Sequence, residues 1–149
     1  MKTSFAAITT CVLIIVSAGF CGAEEWVKLG ETKWGTFHYD KSSVKRGEQY
    51  VTVTSKQMLR PEAAAAMVEA LPNLAGVAYE TMYDSIDCEK WLYIQDRVIY
   101  YNGNDRVIHD TERTKGQYKE IGPRPIPADT PIGWLAETVC GADEMAPRK

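Results

Sequence analysis

The most reactive side chains in this chain belong to four cysteines, Cys11, Cys21, Cys88 and Cys140, and two histidines, His38 and His109. Cysteine can bind metal, act as a nucleophile or form a disulfide, and the compartment largely decides which. Cys11 and Cys21 fall in a stretch built like an export leader. Lys2 supplies its positive end, Phe5 to Val16 is apolar and uncharged, and Ser17 to Ala23 holds small residues. Cleavage after Ala23 leaves Cys88 and Cys140 as a lone pair in an oxidising compartment, with one possible connectivity. The expected chemistry is a structural disulfide joining mid-chain to the C-terminal end.

The remaining candidates for chemistry are sparse. His38 and His109 fall in expected strands, have no second histidine at metal-ligand spacing, and read as strand residues with satisfied rings. Asp84, Asp87 and Glu89 cluster around Cys88, where a calcium site is conceivable, but their spacing fails the EF-hand pattern and a solvated strand end explains them. There is no GxSxG elbow and no phosphate-cradling glycine loop. No catalytic residue, metal site or cofactor is expected.

The 149 residues include 17 basic and 20 acidic side chains, a formal net charge of −3, and losing Lys2 with the leader makes the product one unit more acidic. Basic residues run no longer than the Lys45-Arg46 pair, which excludes the electrostatic footprint of nucleic-acid binding. The apolar run of the leader is too short for a bilayer core that needs about 20 residues, so no integral span is expected in the mature chain. The product is expected in the periplasm or outside the cell. A lipoprotein anchored through Cys21 is the alternative, but Phe20 is the wrong shape for the residue before a lipid-bearing cysteine.

The elements that must position the cysteine pair have mostly a period of two, the mark of half-buried antiparallel strands. Strands are expected at Trp26 to Leu29, Trp34 to Tyr39, Tyr50 to Leu59, Ala78 to Ser85, Glu89 to Gln95, Arg97 to Tyr101 and Arg106 to Asp110, with merger of some of them left open. Asn102 to Asp105 reads as a hairpin loop, because Asn and Gly tolerate positive φ. Pro61 to Leu71 reads as a connecting helix with Ala64, Met67, Val68 and Leu71 on one face. A second helix starts at the capping Thr130 and Pro131 and stops before Gly141, with Ile132, Leu135, Ala136 and Val139 as its apolar stripe and Cys140 on its last turn. Lys115 to Arg124 is a polar connection, Pro123 to Pro131 is extended, and Ala142 to Lys149 is a tail.

The fold class is therefore α+β: one domain over residues 24–141, a predominantly antiparallel sheet packed against a C-terminal helix and closed by one disulfide. Val51 and Val53, with Leu92 and Ile94, are assigned to the core beneath that helix. The opposite side then holds Tyr50, Trp91 and Tyr93, with Tyr79 and Tyr83 on one face of their own strand. Rings with polar tips suit a surface that is alternately wet and covered. This aromatic face is the candidate contact for another protein or a second copy of the chain.

Glu25-Trp26-Val27-Lys28-Leu29-Gly30, then Phe37 to Val44, Asp87-Cys88, the aromatic hairpin around Asn102-Gly103 and the terminal Val139-Cys140 together resemble the surface-adhesin protein E-like family. The resemblance implies a compact antiparallel sheet with a C-terminal helix and one disulfide. It also implies an exported, non-enzymatic binding domain, since the named member is an outer-surface adhesin for host matrix proteins. A periplasmic structural or accessory envelope protein, with no host-binding role, is the alternative.

Overall fold

The computed structural model describes residues 23–114 and 122–141. The expected leader, the tail and most of the connection at 115–124 lie outside the described residues. Six strands run as an antiparallel meander in chain order: β1 (Trp26–Glu31), β2 (Gly35–Arg46), β3 (Val51–Leu59), β4 (Val77–Asp87), β5 (Leu92–Asn102) and β6 (Val107–Asp110). A two-residue strand, β7 (Arg124–Pro125), pairs with the start of β5, while β6 pairs with its end. Helices α1 (Pro61–Ala70) and α2 (Pro131–Cys140) cover one face of this sheet and complete an α+β fold.

Alternation along β3 sets the two faces. Val51, Val53, Ser55 and Gln57 are buried, and the residues between them are not. Val51 pairs with Ile86 and Tyr39 with Ser55, so the same inward side continues into β4 and β2. Leu135, Ala136, Val139 and Cys140 of α2 close over it, forming one cluster with Tyr39, Val51, Val53, Ile86 and Ile126. Full burial of an aliphatic side chain of this kind contributes about 1.5–3 kcal/mol.

Local chemistry fixes how α2 is seated. The Thr130 hydroxyl accepts from the Gly133 amide at 3.3 Å, Pro131 occupies the first turn, and Gly141 leaves the helix at φ 77°. Arg46 donates to the Val139 carbonyl at 2.9 Å, placing a cation at the negative end of the helix. At the other side, Gly30 lets Trp134 approach β1: a Cβ there would lie 2.8 Å from the indole ring. Cys140 bonds to Cys88, which sits in the turn after β4, with Cα atoms 5.7 Å apart. This is the expected disulfide.

Several expectations need correction. β2 does not stop at Tyr39 but runs on to Arg46 through an irregularity between Asp40 and Lys45. Asp40 organises it, its Oδ1 accepting from the Glu25 and Ser42 amides at 2.8 and 3.0 Å and from the Ser42 hydroxyl at 2.6 Å. Burial works to raise the Asp40 pKa, but these bonds outweigh it and hold the carboxyl below its ordinary value. The strands expected at Glu89 to Gln95 and Arg97 to Tyr101 merge, as the reading left open, into one strand, β5, but its start is later than expected and Glu89 lies in the preceding turn. On α1 the buried residue is Ala63, whereas Leu71 is the C-cap and 49% exposed.

The most consequential correction concerns β5. Tyr83 pairs with Arg97 but Asp84 pairs with Gln95, which leaves Asp96 as an extra residue. One such bulge reverses the alternation of everything beyond it. The Ser85 hydroxyl holds Asp96 at 2.6 Å. Consequently Tyr93, paired with Ile86, faces the helices, while Leu92 and Ile94 take the opposite side. The aliphatic pair assigned to the core and the ring assigned to the open face have exchanged places.

Candidate binding face and acidic cavity

The face not covered by the helices carries an organised set of rings and cations. Tyr79 and Tyr101 are cross-strand partners on β4 and β5, stacked with centroids 4.7 Å apart and planes at 9°. Lys56 on β3 lies between this pair and β1, its Nζ 3.8 Å from the Trp26 ring and 5.4 Å from the Tyr79 ring. The Tyr79 hydroxyl donates to Asp105 at 2.9 Å, and burial together with that bond pushes its pKa up to about 12. Four residues further along β4, the Tyr83 ring lies 5.6 Å from Arg97.

Arg97 is itself fixed. Its Nε and Nη2 donate to the two oxygens of buried Asp110 at 3.0 and 2.7 Å, and Nη1 meets Glu112 at 3.0 Å. Tyr83 is 36% exposed, so its ring is available while its neighbour is held. A rigid patch of tyrosine, tryptophan and arginine loses little side-chain entropy on contact, and these are the residue types enriched where protein partners bind.

Of the five residues expected on a partner surface, Tyr79 and Tyr83 share this face. Trp91 and Tyr93 pack against the core cluster instead, for the reason given by the Asp96 bulge and by the left-handed turn at Trp91, φ 55°. Tyr50 lies in the turn before β3, where Gln49 donates to its hydroxyl at 3.2 Å, beyond the Tyr83 end of the patch. Trp26, Lys56, Arg97 and Tyr101 were missed. Register alone brings them together: the hairpin signal at Asn102-Gly103 fixes Tyr101 only against β6, opposite Val107.

The covered face holds a different chemistry. Glu80 and Asp84 point inward from β4, and burial pushes each carboxyl up to about 7. Asp84 is not a solvated strand end. It is 3% exposed, its Oδ2 accepts from Ser55 at 3.1 Å, and its Oδ1 has no hydrogen-bond partner among the described residues. Asp87, one face over, instead accepts from the Lys90 amide at 2.9 Å and closes the turn that carries Cys88. The expected solvated cluster is thus split between a buried carboxyl and a turn cap.

His38 lies on the open face near Lys28 and Lys56, and burial first, then these charges, lower its pKa. Its Nδ1 is buried without a partner among the described residues, so the expectation of a satisfied ring does not hold there. His109 tilts against Tyr100 with centroids 6.0 Å apart. Among the described residues no three His, Cys, Asp or Glu side chains form a group able to hold a metal ion. Among them, too, no helix is long and apolar enough to cross a membrane.

Sheet, helix and bridge define a small disulfide-clamped α+β domain with one packed and one open sheet face. The model of the surface-adhesin protein E family matches residues 26–141, and the chain belongs to that family. No curated protein and no solved structure matches it.

Proposed function

We propose that this chain is an exported adhesion-type domain that works by holding a protein partner against its open sheet face and not by catalysis. The observation that carries the reading is the patch of Trp26, Lys56, Tyr79, Tyr83, Arg97 and Tyr101, ordered in advance by stacking, cation–π contact and the Arg97–Asp110 bond. Family membership supports both export and a surface role. The leader-like sequence and the lone cysteine pair support passage into an oxidising compartment.

The test is location together with adhesion. Protease added to intact cells should remove the protein, and deletion of its gene should reduce attachment to immobilised extracellular-matrix proteins. A product fully shielded from external protease, with attachment unchanged, would favour an accessory envelope role and overturn this reading.

A further inference from the structure

Beneath α2 lies a half-open cavity of about 190 Å³. Leu29, Phe37, Ile132 and Leu135 form its apolar walls, and Ser55, Asp84 and Gln95 contribute the polar part. An enclosed apolar space of about 150 Å³ suffices for benzene, so the volume admits a small organic molecule. The cavity shares Phe37 and Pro131 with a second hollow of about 480 Å³ toward α1, bordered by Trp34, Leu59 and Met67.

We propose that this cavity binds a small organic amine, its apolar body between α2 and the sheet and its ammonium group against Asp84. The reading is independent of the adhesive face, which lies on the other side of the sheet. Three observations combine. Asp84 is almost completely buried, it lines the cavity, and one of its oxygens has no hydrogen-bond partner among the described residues. Leaving such an acceptor unmade is costly, whereas a charge-assisted bond to it is among the stronger ones available.

The choice of a cation over an anion or a neutral ligand follows from charge. Among the described residues no lysine or arginine lines either hollow, and a second carboxyl, Glu80, faces the same side of β4. Asp96 and Glu80 on one side and Arg124 on the other are the more distant charges acting on Asp84, with opposite effects, and Ser55 is its direct donor among the described residues. An anion would meet the Asp84 carboxyl in a mostly apolar space. An ammonium group would offset the burial of that carboxyl.

Benzylammonium is a suitable probe, with benzyl alcohol as its neutral counterpart of similar shape. Titration at pH 8, followed by amide NMR, should give saturable shifts on α2 around Ile132 and Leu135. Benzyl alcohol and the Asp84→Asn variant should each bind at least tenfold more weakly, while Tyr83→Ala on the open face should bind like the wild type. Ile132→Phe, which fills the cavity without touching the carboxyl, should also lose binding and covers the case in which Asp84→Asn does not fold. Absence of saturable shifts, equal affinity for the alcohol, or undiminished binding by folded Asp84→Asn would each overturn the proposal.

Discussion

Replacing Cys88 and Cys140 together by alanine is expected to lower the unfolding free energy by about 4 kcal/mol. The bridge closes a loop with a sequence separation of 52, and that loop contains β5, β6 and β7 as well as α2. Its removal frees the unfolded chain, and in the folded state it releases the end of α2. What then holds that end is Leu135, Ala136 and Val139 in the core and the Arg46 bond to the Val139 carbonyl. Domains of this size are stable by about 5–15 kcal/mol, so the loss is a large fraction of the whole. Alanine avoids placing an unpaired hydroxyl at Cys140, which is 1% exposed. Urea unfolding of the two proteins measures the difference, and a change below about 1 kcal/mol would show that packing alone seats the helix.

Stability is also expected to fall as pH rises from 5 to 8, by on the order of 5 kcal/mol. Glu80 and Asp84 are lifted to about 7 in the folded chain, chiefly by desolvation. Unfolded, both return to the ordinary carboxylate range near 4. Between those limits the folded chain holds more protons than the unfolded one, so each step up in pH favours unfolding. Asp40 works in the opposite direction at lower pH: its pKa is depressed, and its contribution is lost as acid protonates it. The most stable condition therefore lies on the mildly acidic side. Asp84→Asn should flatten the decline and raise the urea midpoint at pH 8, since it removes a buried carboxylate while keeping an acceptor for Ser55. A midpoint that is flat or rising from pH 5 to 8 would contradict the assignment of these carboxyls to the interior.

These two expectations differ in how far the sequence foretold them. The clamp was legible because each part is local: a capping threonine, a proline in the first turn, an apolar stripe and a glycine stop place Cys140, and elimination leaves Cys88 as its partner. The inward position of Asp84 was hidden. Its neighbours Asp87 and Glu89 suggested a wet strand end, and only pairing with β3, which sets Asp84 opposite Val53, turns it into the core.

The aromatic face was half legible for a similar reason. Tyr79 and Tyr83 follow from alternation within one strand. Tyr93 does not, because the bulge at Asp96 is a property of two strands in register and leaves no mark in the composition of either. Trp26 and Lys56 lie on strands separated by β2 in the sheet, so no local pattern announces their contact. Long-range register, and not propensity, decides what this surface presents.

The most direct measurement compares binding of purified wild type, Tyr83→Ala with Tyr101→Ala, and Ile132→Phe to immobilised extracellular-matrix protein, after circular dichroism has verified that all are folded. The account predicts that the double change on the open face weakens binding at least tenfold, in line with loss of central aromatic contacts, while the change beneath α2 leaves it intact. Undiminished binding by the folded tyrosine variant, or loss caused by the cavity variant alone, would place the adhesive surface elsewhere.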